Sequence, residues 1–271
     1  MPVKTHIRRP RVVSALAAAS LALVLAGCSA DATSPADARA DARADGAAFS
    51  GDEQPGSGKG VGAGARPAVD CEKAKCIALT FDAGPGKDTP RLLDILKKEK
   101  VPATFFLLGK NHVVRYPDVV RRLAAEGHEV ANHTWTHQRL DRLDKEEIRD
   151  ELGRTQDAIA DITGTKPTLM RPPQGRTDDD VTAVSKELGL SQVLWSATAK
   201  DYSTTDSALI EKRILDQAGR DGIILLHDIY DGTVPAVPGI IEKLKERGYT
   251  FVTVPELLAP AEPQPGKVYR P

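Results

Sequence analysis

The sequence has no excess of basic side chains. It contains 37 Lys and Arg against 38 Asp and Glu. Four of the basic residues lie in residues 1–27, which contain no acid, so the rest of the chain has 33 basic against 38 acidic side chains and a formal charge of −5. Proteins that bind nucleic acid concentrate positive charge on one face or helix. We therefore expect no nucleic-acid partner.

The chain also has no apolar run long enough to be a convincing transmembrane span. The longest, Val12–Ala26, is short and rich in alanine, and it follows several basic residues. This pattern predicts a signal peptide over residues 1–27. The run ends in Leu-Ala-Gly-Cys28, which resembles a bacterial lipobox, and the N-terminus as a whole resembles that of an actinobacterial lipoprotein. We expect Cys28 to carry lipid and the protein to be extracytoplasmic and membrane-anchored. An ordinary signal peptide with an incidental cysteine is the alternative.

Cysteine is scarce, with three residues in 271. If Cys28 is lipidated, Cys71 and Cys76 remain, and in an oxidising compartment they can form a disulfide with no thiol left over. A zinc-binding pair is the competing interpretation, but the sequence has no second cysteine pair to complete such a site.

Large apolar side chains are nearly absent from residues 28–69. That composition cannot form a core, so it predicts a disordered tether, with at most transient helix in the Ala-Arg-Ala-Asp repeats. The proline-rich tail, residues 259–271, is expected to be surface coil. The remaining segment, residues 70–258, is the predicted folded domain.

Within residues 70–258, short apolar runs alternate with amphipathic stretches. Such alternation predicts a parallel sheet with helical crossovers, and seven units in about 180 residues suggest a closed or nearly closed barrel. Start signals place helix N-termini at Thr89, at Asp144 with Glu147, and at Thr177. The strand candidates are 76–81, 103–107, 128–132, 168–171, 191–195, 222–226 and 250–253.

Polar residues follow several of these strands. Asp82 ends the first strand before a Gly-Pro-Gly turn, where α/β proteins place chemical groups, although an aspartate there could simply cap the next helix. A spacing of four would put His133 and His137 on one face of a helical turn, which suits a shared divalent metal. A plain pair of surface histidines is equally compatible with that spacing. Further candidates are Arg171, Asp201 and His227, each uninformative alone.

Together these segments resemble the NodB-type polysaccharide deacetylases, carbohydrate esterase family 4. Five motifs occur in the family's order between Cys71 and Leu258: Thr80–Gly84, His133–His137, Arg171–Gln174, Asp201-Tyr202, and Leu225 with His227. The resemblance implies a distorted (β/α)7 barrel, the NodB homology domain, and a divalent metal, zinc or cobalt. It assigns these roles: Asp82 as catalytic base, His133 and His137 as metal ligands, Arg171 as support for the base, Gln174 as backbone donor to the oxyanion, Asp201 as partner of the catalytic histidine, Tyr202 as pocket wall, Leu225 as part of the acetyl pocket, and His227 as catalytic acid.

One departure from the family pattern is severe. Ala83 stands where the family has a second aspartate, the third protein ligand of the metal. Gln174 in place of tyrosine and Tyr202 in place of tryptophan are milder changes. Because a catalytic zinc site usually has three protein ligands, we expect weak metal binding.

The sequence therefore predicts a deacetylase of N-acetylated amino sugars in peptidoglycan or chitin-like chains. An O-acetyl xylan esterase is the second enzymatic alternative. The third is a glycan-binding protein that has lost turnover along with its metal ligand.

Overall fold

The structure is a computed structural model that describes Met1, residues 32–48 and residues 67–271. The predicted signal peptide, Cys28 and much of the predicted tether lie outside the described residues. Within the described ranges, no helix has the length and apolar character needed to cross a bilayer.

Nine parallel strands form one curled sheet in the described part of the chain. Its order is β6-β7-β1-β2-β3-β4-β5-β9, and β8 pairs with the first residues of β1, Lys75–Ala78, while β2 pairs with Thr80–Asp82. Because β7 pairs with residues 77–82 on the other edge of β1, β1 has neighbouring strands on both sides and lies at the centre of the sheet. The strands are β1 Lys75–Asp82, β2 Thr104–Leu107, β3 Glu129–Asn132, β4 Leu169–Met170, β5 Ser191–Val193, β6 Ala197–Thr198, β7 Gly222–His227, β8 Tyr249–Val252 and β9 Val268–Tyr269.

Helices cover the outside of this sheet, as the predicted (β/α)7 barrel requires. The capping box of Asp144 and Glu147 is present at the start of the fourth helix. The other two predicted starts are slightly displaced: the second helix begins at Thr89 with Asp88 at its N-cap, and the fifth has Asp178 at its N-cap rather than Thr177. The helices are α1 Pro35–Ala48, α2 Thr89–Glu99, α3 Pro117–Ala125, α4 Lys145–Thr163, α5 Asp179–Glu187, α6 Ser207–Gln217, α7 Thr233–Glu246 and α8 Val254–Leu258.

Strand β1 is buried on both faces and divides the core in two. Ile77, Leu79 and Phe81 pack in a cluster that also contains the apolar residues of α2 and α7. Cys76 and Ala78 belong to a second cluster, which holds residues from β2, β3, β4, β5, β7 and β8 and fills the barrel interior. Since side chains alternate along a strand, residues 80 and 82 share the interior face with 76 and 78. The interior face of β1 therefore ends in two polar side chains, Thr80 and Asp82, at the rim of the barrel.

Two segments differ from the sequence-based expectation. Residues 35–48, predicted to be disordered, form α1, and Arg39 on this helix is only 3% exposed. Its guanidinium bonds to the carbonyl of Leu257 at 2.7 Å and to Asp221 Oδ2 at 2.8 Å. This contact joins residues 182 positions apart in the chain, so no local pattern could reveal it.

The C-terminal tail is also part of the fold rather than surface coil. Val268–Tyr269 forms β9 beside β5, and Tyr269 is 1% exposed. Thr33 makes a parallel bridge to Tyr269, so the segment before α1 extends this edge of the sheet. Large apolar area on Tyr269 drives its burial, although the surrounding sequence is rich in proline.

Cys71 and Cys76 are joined in a disulfide, with an S–S distance of 2.08 Å. Cys76 lies in β1 and Cys71 in the turn before it. The bond ties that turn to the first residues of the central strand.

Candidate active site

The polar residues singled out in the sequence meet at the carboxyl ends of the strands. Asp82 is the last residue of β1 and His227 the last of β7, and the two are paired in register across these neighbouring strands. His133 follows β3 directly, and Arg171 follows β4. Because parallel strands end at the same edge, residues far apart in sequence come to one rim.

Arg171 is a fully buried charge of the site, with no exposed surface. Its Nη1 donates to Asp82 Oδ1 at 2.6 Å and to Thr80 Oγ1 at 2.8 Å, and its Nε donates to the carbonyl of Val193 at 2.9 Å. The guanidinium also lies 4.0 Å from the centre of the Phe106 ring. These contacts fix one oxygen of Asp82, and the other oxygen, Oδ2, faces His133 Nε2 at 3.8 Å.

His133 and His137 lie side by side, with ring centres 4.9 Å apart. The predicted helical turn is wrong: residues 133–137 form an irregular loop in which Thr134 and His137 have positive φ angles of 74° and 66°. The imidazoles meet through this loop geometry and not through helical spacing.

A carboxylate that the sequence interpretation missed holds this loop. Glu151 accepts hydrogen bonds from the backbone N–H groups of Trp135 and Thr136, at 3.0 and 2.8 Å, and from the Thr136 hydroxyl at 2.5 Å. It lies on the buried face of α4, next to Leu152 and three residues after Ile148. An acid on the apolar face of an amphipathic helix was the available signal.

Both imidazoles are in the form that binds metals. Burial lowers the pKa of His133 to about 4, and it lowers the pKa of His137 as well, so both rings are neutral at pH 7. His133 Nδ1 bonds to the carbonyl of Arg171 at 2.8 Å, which leaves Nε2 as the acceptor facing the site. A carbonyl bond on the other ring nitrogen is the usual support of a metal-ligating histidine.

The third ligand is missing. Ala83 supplies no donor, and within the described chain no three His, Cys, Asp or Glu side chains are grouped to hold a metal as they stand. The residues present thus fit two positions of a divalent metal site and leave the rest to water or substrate.

His227 forms a tight pair with Asp201 on the opposite side of Asp82. Asp201 Oδ1 lies 2.8 Å from His227 Nδ1, and Oδ2 accepts from the His227 backbone N–H and the Thr233 hydroxyl, each at 2.7 Å. Burial disfavours the charged imidazole, but the hydrogen bond and negative charge of Asp201 outweigh it, so the pKa of His227 lies above its usual value. Burial alone would raise the pKa of Asp201, but the bonds from His227 and Thr233 lower it. The pair therefore favours a protonated imidazole.

The remaining predicted residues line the same rim. Leu225 is 6% exposed on β7, two residues before His227. Gln174 lies in a short turn, Pro173–Gly175, with a φ of 59° and an exposed side chain. Tyr202 is 59% exposed, and its ring centre is 6.3 Å from that of His227.

A buried carboxyl beside His227 was also missed. Asp228 has no exposed surface, and its Oδ2 accepts a short hydrogen bond from the Thr89 hydroxyl, which in turn accepts from Gly86 N–H at 2.7 Å. Its Oδ1 is so close to Gly84 that a Cβ added there would lie 2.3 Å away. Burial raises the pKa of Asp228 to about 6. Asp228 thus connects the end of β7 to the turn that follows Asp82.

Known proteins resemble this chain in sequence and in fold. The chain is 40% identical over 184 residues to the peptidoglycan-N-acetylglucosamine deacetylase of Listeria monocytogenes, a match that covers 68% of this chain but only 39% of that protein. It is 37% identical to a chitooligosaccharide deacetylase of Bradyrhizobium, covering 69% of this chain and 93% of the relative. A solved structure described as T48 deacetylase with substrate superposes with a TM-score of 0.71 at 41% identity, covering 74% of this chain and all of that one.

The family pattern described as polysaccharide deacetylase matches residues 70–193. That range contains Asp82, His133, His137 and Arg171, while Asp201 and His227 follow it in the chain. By sequence, by fold and by the order of these residues, the chain belongs to the polysaccharide deacetylase family.

Proposed function

We propose that this protein is a lipid-anchored, extracytoplasmic hydrolase that removes acetyl groups from N-acetylated amino sugars of a polysaccharide. The observation that carries the proposal is a base and an acid facing each other across one rim. The carboxylate of Asp82, held by Arg171, lies on the strand next to the one that ends in the His227–Asp201 pair.

Amide hydrolysis needs a water to lose a proton as it attacks the acyl carbon. Asp82 Oδ2 is available to accept that proton, because Arg171 donates to Oδ1 and Oδ2 faces His133 Nε2 at 3.8 Å. Arg171 cannot move with the reaction, since its guanidinium is fully buried and bonded to the carbonyl of Val193. The base is therefore oriented before substrate arrives, which is how positioned groups lower a barrier.

The second half of the reaction breaks the C–N bond and needs a proton for the amine. His227 carries that proton on Nε2, because Asp201 holds Nδ1 and favours the charged ring. Transfer to the nitrogen leaves acetate and a free amino sugar. The His227 side chain is 15% exposed and can reach substrate, whereas Asp201 is buried and acts only through it.

The developing oxyanion lies between these two groups. The backbone N–H of Gln174 is the proposed donor, and Leu225 borders the acetyl methyl. His133 and His137 would hold a divalent ion, and the chemistry that such an ion supplies when bound is Lewis acidity and a water of lowered pKa. Polysaccharide deacetylases of this family are generally metal-dependent.

The nature of the relatives supports an amino-sugar polymer as substrate, since one is named for peptidoglycan and another for chitooligosaccharide. Lipidation at Cys28 would favour the cell's own wall. Mass spectrometry of the membrane fraction tests that part: we expect a mature chain that begins at a lipid-modified Cys28, and recovery of unmodified Cys28 would refute it.

Acetate release tests the activity itself. Peptidoglycan, chitooligosaccharides and acetylated xylan are compared, each with and without added zinc or cobalt. We expect release from the first two that rises with added metal. Release from xylan alone would instead assign an ester substrate.

Ala83 favours one other function, a glycan-binding protein without turnover. That protein would bind the oligosaccharides in the same panel but release no acetate from any of them at any metal concentration.

A further inference from the structure

A cavity adjoins the His227–Asp201 pair. It has a volume of about 480 Å³, in the usual range of small-ligand pockets, and two turns line it. One turn, residues 201–205, begins at Asp201. The other, residues 229–231, comes shortly after His227 in the chain. The two residues of the pair thus each lead into a wall of this cavity.

Exposed aromatic surface is concentrated here. Among the described residues, the exposed large apolar side chains are Met1, Val114, Tyr202 and Tyr230, and both tyrosines line the cavity. Tyr230 is 36% exposed, and its ring centre lies 5.3 Å from that of His227 at an angle of 64°. Both tyrosine rings therefore lie near the imidazole, with ring centres 6.3 Å (Tyr202) and 5.3 Å (Tyr230) from it. Solvent-facing aromatic groups gathered around a reactive group indicate a binding surface.

The turn that carries Tyr230 is held firmly. Thr233 N–H donates to the Tyr230 carbonyl at 3.1 Å, and the Thr233 hydroxyl donates to Asp201. Gly232 packs so closely on Thr205 that an added Cβ would lie 2.8 Å from three of its backbone atoms. Tyr230 is consequently fixed relative to the His227–Asp201 pair before any ligand binds, which reduces the ordering cost of binding.

We propose that Tyr230, with Tyr202, forms a subsite for the sugar unit adjacent to the one that is deacetylated. This inference rests on the proposed function. A hexosamine ring has an apolar C–H face and a polar edge, and tyrosine offers an apolar ring with a hydroxyl at its tip. Because His227 is placed to protonate the nitrogen of one sugar, the next sugar of the chain lies beside His227. The cavity that both tyrosines line adjoins His227 and Asp201 and can take that sugar.

The subsite predicts that affinity depends on chain length. Binding of β-1,4-linked N-acetylglucosamine oligomers of one to four units is measured by calorimetry with a chelator present, so that turnover does not interfere. Wild-type affinity should rise from one unit to three. Tyr230→Ala should lose about tenfold for the longer oligomers and least for the monosaccharide.

Two variants control the result. Tyr230→Phe keeps the ring and should retain most of the affinity. Val114→Ala removes another exposed apolar side chain, one outside the cavity, and should bind every oligomer as wild type does. Circular dichroism confirms that each variant is folded.

The inference is wrong if Tyr230→Ala matches wild type at every length, if Tyr230→Phe loses as much as Tyr230→Ala, or if wild type binds no oligomer. Acetate release is scored separately. Length-dependent binding through Tyr230 without any acetate release would refute the proposed activity and support the subsite.

Discussion

Replacing Asp228 by asparagine should change how the stability of the protein depends on pH. The pKa of this buried carboxyl rises from 3.8 to about 6 on folding, chiefly because burial disfavours its charged form. The folded state therefore holds the proton more tightly than the unfolded state. The associated stability is fully present below pH 3.8 and is lost as the pH rises through about 6.

The magnitude follows from the two pKa values. A difference of that size corresponds to about 3 kcal/mol of unfolding free energy in full, of which about 2.4 kcal/mol is lost between pH 4 and pH 8. Asparagine cannot ionise, so the variant escapes this loss. Its amide would however place an N–H group where Asp228 Oδ1 now faces Gly84, and an unpaired buried donor costs about 1–3 kcal/mol at every pH. We expect Asp228→Asn to be less stable than wild type at pH 4, and the deficit to shrink or reverse by pH 8.

Urea denaturation from pH 4 to pH 8 measures the free energy of unfolding of wild type and of Asp228→Asn. The difference between the two free energies is then compared at each pH. Glu129, whose pKa burial raises to about 7, titrates in both proteins and cancels in the difference. Asp161→Asn on α4 is the matched control, because its exposed side chain stays in water in both states. A difference between wild type and Asp228→Asn that is constant from pH 4 to pH 8 would refute the reasoning.

Three further perturbations test other parts of the structure. Asp82→Asn and His227→Ala should each lower acetate release by at least ~100-fold while circular dichroism is unchanged, and a fully active variant would lose the role assigned to it. Ala83→Asp should tighten zinc and cobalt binding in calorimetric titrations, because it restores a carboxylate beside the two imidazoles; equal affinity in wild type would point to a ligand not yet identified. Arg39→Ala should lower the free energy of unfolding in urea by about 3 kcal/mol, because it leaves a largely buried aspartate without its partner, whereas Arg43→Ala on the exposed side of α1 should cost little.

Local patterns were enough to locate the reactive residues. Asp82 and His227 each end a buried apolar run, and in a parallel sheet such ends share one edge, so their meeting could be expected from the sequence. The family resemblance added the pairing of His227 with Asp201, which neither residue indicates alone. Strands of the structure overlap all seven expected ranges, and the longest of them, β1 and β7, are the runs with the most consecutive apolar residues.

Contacts between distant segments were beyond such patterns. Arg39 looks like one charge in a polar repeat, and its burial depends on Asp221 and on a carbonyl of α8. The two-residue strands β6 and β9 are too short to produce periodicity. Asp228 looks like a surface aspartate after a strand until the Thr89 hydroxyl is found against it. In each case the partner lies in another element, and only the folded chain brings the two together.

If Cys28 carries lipid, the docking of the N-terminal segment would limit how far the domain reaches from the membrane. Thr33 pairs with β9, and Arg39 holds α1, so the chain is already attached to the domain at residues 33 and 39. If Cys28 carries the lipid, only four peptide steps separate the anchor from Ala32, and four extended residues span at most about 14 Å. A flexible linker of about forty residues would let the enzyme reach glycan strands throughout the depth of the wall. With the short linker between Cys28 and Ala32, the domain would act on glycan strands that lie directly against the membrane, where new wall is laid down. Detachment of α1 from the domain would lengthen the linker and extend that reach.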